Sequence, residues 1–568
     1  MHLTNKRNEI QKIKRLRIVF LISLGVLFIL GIILTGKKLL LNNTIQEAAL
    51  LNPPVKPSGW VEETGKWYYY DEESGEKKSG WSTIDGERYY FDPVSQERVS
   101  GITELSAQKW YYFDENGQLQ KNCIIDNYII NGYGIITDRL LTEEENLARL
   151  EELQSGIDSF SSQYGAEGVS IALIENGKVT DTFVYGNAQK ASTATTKIVT
   201  PMTPDTKIRI ASISKVISSM VGLKMMENGM VDLDASIGDY WGFPVCNPAY
   251  PEHTISLRSI YTHSSSIADL DSYKGIEDKL RRNVVFRNTE PLHPSSCSYC
   301  NFAFAVSGAT LEKAGGKIID DLADETFFND LGIDAAFASG RIEDKTLLAE
   351  LYYTDSSVSR SLNSLSNYTG SNTPGENGNM VVGGLCISAA DLAKLICILA
   401  NDGVYEDKRY LESETIELME TPFCQTDYHG VEVTQCMPLK YNTDIYGEDS
   451  LYFHTGSAYG VYSLFTYNPE TKNGVVVITT GALGTLDEYG VYAVCGDISE
   501  LLYSSLKKDW KLEPLFLEPD SSEDNTEETG TTENILITED ISPNNSTQKQ
   551  SCEQDMTEDE VSITENHN

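Results

Sequence analysis

Ile208-Arg209-Ile210-Ala211-Ser212-Ile213-Ser214-Lys215 runs directly into Val216 to Glu227, an apolar-faced stretch that stops at Asn228-Gly229. An Asn-Gly pair is a helix stop signal, so this pattern predicts a helix that opens at Ser212. Lys215 stands at i+3, one turn on and on the same face, where its amine can take the Ser212 hydroxyl proton. The spacing alone is weak, because Ser-x-x-Lys occurs six times, starting at Ser74, Ser106, Ser212, Ser504, Ser505 and Ser546. Only the Ser212 copy follows an apolar segment and opens an apolar-faced helix. A serine at a helix start is ordinarily an N-cap.

Working outward, Val169 to Ile174 and Val179 to Tyr185, separated by a turn at Gly177, read as a β-hairpin. Downstream, Tyr299-Cys300-Asn301 lies 87 residues after Ser212, and His454-Thr455-Gly456 lies 155 residues beyond Tyr299. Three ordered motifs, with Gly229-Met230-Val231-Asp232-Leu233-Asp234, Ile260-Tyr261-Thr262-His263-Ser264 and Gly383-Gly384-Leu385-Cys386-Ile387-Ser388-Ala389-Ala390-Asp391-Leu392, connect them. Residues 143–508 thereby resemble the serine hydrolases of the β-lactamase and penicillin-binding superfamily, in the branch of class C β-lactamases, D-alanyl-D-alanine carboxypeptidases and esterases.

The resemblance implies an α+β fold, an antiparallel sheet flanked by helices with an all-helical subdomain between the first and third motifs. It implies Ser212 as the acylated nucleophile, Lys215 as its partner in deprotonation, and Tyr299 as a phenolate-type base favoured by the nearby ammonium. Asn301 would orient Lys215 and the substrate amide. His454-Thr455-Gly456 would lie on an edge strand, with Gly456 admitting the substrate backbone and an imidazolium at His454 holding its carboxylate. The N–H groups of Ser212 and Ser457 would form the oxyanion hole. His263 is read as a turn residue outside the site. His-Thr-Gly in place of Lys-Thr-Gly is closer to the carboxypeptidases and esterases than to class C β-lactamases. No cofactor is implied, and the ten cysteines give a metal site little support.

Ahead of this region the chain repeats itself. Gly59-Trp60, Gly80-Trp81 and Gly101-Ile102 recur every 21 residues, each followed in phase by an aromatic run: Trp67-Tyr68-Tyr69-Tyr70, Arg88-Tyr89-Tyr90-Phe91 and Trp110-Tyr111-Tyr112-Phe113. Such a period means a stacked array of small hairpins over residues 58–135, with a degenerate fourth unit around Tyr128 to Gly134. The units resemble the glycine-tryptophan cell-wall-binding repeats of choline- and glucan-binding modules. Trp60, Trp67, Trp81, Tyr89 and Trp110 then either box choline or stack on wall glycan, or simply hold a stalk together.

Ile18 to Gly36 is a charge-free run of nineteen residues, about 28 Å as a helix, enough to span a bilayer core. Six basic groups in residues 1–17 put that tail in the cytoplasm and the bulk of the chain outside, with an uncleaved anchor preferred over a signal peptide. Residues 518–568 are acidic and poor in apolar groups, and are expected to be disordered. The net charge of −39 disfavours nucleic-acid binding. Cys424 and Cys436 bracket a short loop and could pair in an oxidising exterior, whereas a reducing habitat would leave them as thiols. These readings converge on a membrane-anchored hydrolase of a Gram-positive type wall, acting on peptidoglycan or other D-amino acid peptides. The rivals are an esterase, a β-lactamase, or an inactive wall-binding surface protein.

Overall fold

The computed structural model describes residues 3–51, 57–106, 109–192 and 197–507, and the chain divides into two compact units at Thr142 and Glu143. The acidic segment 518–568 lies outside the described residues.

In the first unit, helix α1 (Leu3–Leu51) contains a stretch, Gln11–Asn42, long and apolar enough to cross a membrane, with nothing packed over it. The repeats form hairpins, Gly59–Glu63 with Lys66–Tyr70, Gly80–Ile84 with Glu87–Phe91, and Gly101–Ser106 with Lys109–Phe113. The units stack because each later segment bonds back to an earlier hairpin: Arg98 N donates to Trp67 O and Leu119 N to Arg88 O, both at 2.8 Å. Aromatic rings fill the joints, with Trp60 4.9 Å from Tyr89 and Trp81 5.3 Å from Tyr111. The degenerate fourth unit is a three-stranded sheet, Cys123–Ile125, Tyr128–Ile130 and Ile136–Arg139.

The second unit is built on a nine-stranded antiparallel sheet. Its strands are β1 (Gly168–Glu175), β2 (Lys178–Ser192), β3 (Lys197–Pro201), β4 (Cys424–Tyr428), β5 (Val431–Gln435), β6 (Lys440–Ile445), β7 (Glu448–Ala458), β8 (Val461–Asn468) and β9 (Asn473–Thr480). Their spatial order is β3-β2-β1-β9-β8-β7-β6-β5-β4. The β1–β2 turn is tight because Asn176 and Gly177 both take positive φ, 51° and 73°.

Both faces of the sheet are covered, which explains the unbroken apolar run Val475 to Ile478. Val475 and Val477 join Val169, Ile171 and Leu173 under helices α2 (Glu143–Gln163) and α7 (Ala493–Lys507). Val476 and Ile478 face the larger core, with α3 (Ile213–Glu227) and α6 (Ala389–Ala400). Between α3 and α6 lies a helical insert that includes α4 (Asn301–Gly315) and α5 (Met380–Gly383), together with a short strand pair, Leu351–Tyr352 and Val358–Arg360.

Candidate active site

The chain enters α3 through a sharp corner. Ala211 takes φ +49°, a left-handed conformation that a residue with a Cβ rarely adopts, and Ser212 follows at the N-cap position. The corner is tied on several sides: Ile210 N donates to Leu385 O at 2.9 Å, Ser463 Oγ to Ile210 O at 2.8 Å, and Ser214 Oγ to Ala211 O at 2.6 Å. The Ser212 side chain makes no capping bond, so its hydroxyl is left for Lys215, whose Nζ lies 3.0 Å from Ser212 Oγ. Lys215 is fully buried, and its Nζ also donates to Val382 O at 2.7 Å. Burial first, and the charge of Lys440 second, hold the Lys215 amine well below the usual lysine range. An amine shifted in that direction is a better partner for taking up the Ser212 proton than an ordinary lysine.

Tyr299 is 41 % exposed, yet its phenol end is buried and feels the Ser212 hydroxyl. Burial of that end pushes the phenol above its usual value, against the smaller opposing effect of Ser212. The phenolate expected from the motif is thus disfavoured by burial. A phenol shifted in that direction suits the role of acid.

Cys300 caps α4, its Sγ accepting from Ala303 N at 3.3 Å, and burial raises its thiol to about 12. Asn301 donates from Nδ2 to Asp269 at 3.3 Å, a partner different from the expected Lys215. His263 is more than a turn residue: its Nδ1 accepts from Cys300 N at 3.2 Å and its ring sits 4.4 Å from that of Tyr299. It shores up the second motif from beneath.

The third motif lies on β7, which is an interior strand of the sheet rather than an edge. Pairing with β6 nevertheless ends at Lys440↔Phe453, so His454 to Ala458 pair with β8 alone. That half-strand is where an extended substrate can add. Gly456 serves a purpose other than the expected one: a Cβ there would stand 2.3 Å from Ile210 O and from Ser463 Oγ, and 3.1 Å from Ser212 N. Its missing side chain admits the nucleophile's own backbone. Thr455 Oγ1 meets the Tyr428 hydroxyl, and Ser457 hydrogen-bonds with Tyr492. The Ser212 N–H has no acceptor among the described residues, as an oxyanion donor requires.

The imidazolium expected at His454 is not supported. His454 is 1 % exposed, its Nδ1 pairs with Thr455 O at 2.7 Å, and its Nε2 has no partner. Burial, then Lys440 and Lys215, hold it well below the usual histidine range.

The site holds a second buried lysine, Lys440, which the motifs did not disclose. It is 2 % exposed at the start of β6, with its Nζ 5.4 Å from the Tyr299 ring centroid and 4.9 Å from that of Tyr428. Burial lowers it to about 8. No acid pairs with it among the described residues. The one available signal was a lone lysine at a strand start fourteen residues before His454, which is too common to single out.

Cys424 pairs with Cys297, not with Cys436, which is a buried free thiol. The register explains why: Cys424 faces Gln435 across β4–β5, while Cys436 turns into the core. The bridge ties the loop two residues before Tyr299 to the strand that carries Tyr428.

Residues 147–493 match the Beta-lactamase family, and the chain belongs to it. Residues 58–76 and 106–119 match the cell wall binding repeat of choline-binding proteins. Penicillin-binding protein 4 of Amycolatopsis lactamdurans is 28 % identical over 141 residues, 23 % of this chain and 36 % of that protein, so the match spans about a third of the relative's length. Among solved structures, a class C β-lactamase from Rhodobacter sphaeroides is 18 % identical with a TM-score of 0.46, covering 62 % of this chain and 99 % of its own. A D-alanine carboxypeptidase from Burkholderia cenocepacia is 18 % identical with a TM-score of 0.48, covering 64 % and 99 %. A D-amino acid amidase from Ochrobactrum anthropi is 21 % identical with a TM-score of 0.49, covering 63 % and 98 %.

Proposed function

We propose that this chain is a membrane-anchored, extracytoplasmic D,D-carboxypeptidase-like hydrolase acting through an acyl-Ser212 intermediate on peptidoglycan or other D-amino acid peptides. The observation that carries the reading is the 3.0 Å approach of Ser212 Oγ to a lysine amine that burial holds well below the usual lysine range. Lys215 takes the Ser212 proton as Oγ bonds the scissile carbonyl carbon. Charge developing on the carbonyl oxygen falls to the N–H groups of Ser212 and Ser457. Tyr299 gives its proton to the leaving amine and recovers one from the Lys215 ammonium; water then frees Ser212 by the same steps in reverse.

The substrate lies along His454 to Ala458, with its terminal carboxylate toward Lys440 and Thr455. The charge-free run Ile18 to Gly36 within helix α1, with the basic residues ahead of that run, supports the anchor, and the wall-binding repeats support a wall location. One observation favours an esterase instead, the buried His454, held well below the usual histidine range where a charged group would hold an acid. Mass spectrometry of the full chain incubated with a D-Ala-D-Ala pentapeptide, a simple ester and a β-lactam tests both readings. Acyl-Ser212 from the pentapeptide is the expected adduct. An adduct from the ester alone overturns the peptidase reading, and no adduct from any of the three makes the domain an inactive surface module.

A further inference from the structure

Beyond Gly456 the chain turns from β7 to β8 through Tyr459, which takes φ +57°. The turn is clamped by the neighbouring strand pair. Ser359 Oγ donates to Tyr459 O at 2.5 Å, and a Cβ on Gly460 would stand 1.9 Å from Tyr352 O. This places the Tyr459 ring against two guanidiniums, Arg209 Cζ at 4.7 Å and Arg360 Cζ at 3.7 Å from its centroid. Both guanidiniums act on its phenol electrostatically. Neither has a carboxylate partner among the described residues, in a chain where 84 acids face 45 bases. Burial would raise the Tyr459 phenol, but the two arginines outweigh it and bring it below the usual tyrosine value. The local field is positive and unanswered.

The cluster adjoins the chemistry. Arg209 Nε donates to Gly383 O at 2.5 Å, next along the chain from the Val382 carbonyl that holds Lys215. Lys440 stands opposite Phe453 and Tyr459 just past Ala458, so two cationic groups mark opposite ends of the half-strand His454 to Ala458. From Phe453 to Tyr459 the backbone runs roughly 20 Å at about 3.3 Å per residue, with Ser212 beside Gly456 in between. A peptide whose terminal carboxylate faces Lys440 and whose scissile carbonyl reaches Ser212 continues toward Tyr459 with the residue on its acyl side.

We propose that Arg209, Arg360 and Tyr459 form an acyl-side subsite for a second anionic group, so that the preferred substrate is a D,D-peptide with a free carboxylate on the residue preceding D-Ala-D-Ala. This rests on the peptidase reading above and narrows its substrate class.

The test uses the full chain with acetyl-Glu-D-Ala-D-Ala and its near-isosteric amide, acetyl-Gln-D-Ala-D-Ala. The acid is expected to be favoured at least tenfold in kcat/KM, with the ratio shrinking at high salt. Arg360→Gln should bring the ratio toward one, and Arg360→Lys should keep part of it. A wild-type ratio within twofold, or an Arg360→Gln variant that loses both substrates equally, overturns the subsite. A second arm needs no turnover. In Ser212→Ala, the near-ultraviolet phenolate signal of Tyr459, taken as the difference from Ser212→Ala/Tyr459→Phe, should titrate at higher pH with acetyl-glutamate than with acetyl-glutamine. Equal responses overturn the subsite. If neither peptide is turned over, the peptidase reading fails, and the phenolate arm still decides this one.

Discussion

At the scale of single residues, the site is a set of bases whose proton affinity burial lowers. For Lys215, burial and then the Lys440 charge outweigh the opposing Asp269 carboxylate, and the readiness of its amine to take the Ser212 proton follows from that. Ser212→Ala should abolish acylation with little loss of fold, since Ser212 makes no capping bond; acyl adducts by mass and an unchanged Tm check this. Lys215→Ala should be almost as severe, because nucleophile and base act as a unit. The pH profile separates Lys440 from His454. Lys440, lowered to about 8, is charged below that pH and neutral above it, so kcat/KM toward a free-acid D,D-peptide should fall as pH rises through about 8. On the acid side, activity should rise as Lys215 loses its proton. A neutral ester should lack the alkaline limb, and Lys440→Met should remove it from the peptide profile. A limb near pH 6.5 that disappears in His454→Gln would return the carboxylate to the imidazole, at an ordinary histidine value of about 6.5.

At the scale of elements, two segments that carry tyrosines are stapled together. Cys297 and Cys424 close a loop with a sequence separation of 127 and hold the Tyr299 segment against β4 with Tyr428. Replacing both with serine should cost about 2–4 kcal/mol, read in a denaturant melt. Turnover should fall further than the loss of folded protein explains, because Lys440 sits between the two tyrosine rings. Strand β7 is equally constrained: Gly456→Ala places a methyl group within 2.3 Å of Ile210 O and should displace the nucleophile corner. Acylation by an ester should then drop at least a hundredfold, with no rescue at high substrate.

At the scale of the whole molecule, the repeats and the Beta-lactamase family domain fall in separate compact units. Several aromatic faces that a quaternary ammonium would seek carry the chain's own cations. Lys77 Nζ is 3.4 Å from the Tyr68 centroid, Arg88 Cζ 4.8 Å from Trp81, and Arg98 Cζ 5.8 Å from both Trp60 and Trp67. Free choline at millimolar concentration should therefore leave tryptophan fluorescence unchanged, and should not release the full chain from purified walls. Release by choline, lost in Trp81→Ala, would show that the exogenous cation displaces the resident one.

The sequence by itself determined whatever is local or periodic. The 21-residue repeat, the hairpin around Gly177, the helix from Ser212 to Asn228-Gly229 and the apolar run from Ile18 to Gly36 are written in neighbouring residues, where spacing alone defines a turn, a face or a span. The order of the three motifs carried the family. Only the tertiary structure decided what depends on burial and on partners distant in sequence. It paired Cys424 with Cys297 rather than Cys436, put His454 to Ala458 on an inner strand with one free side, tied Asn301 to Asp269, and buried Lys440 beside the Tyr299 and Tyr428 rings. A side chain's charge is set by the solvent and the neighbours it loses on folding, and no spacing in the chain records that loss.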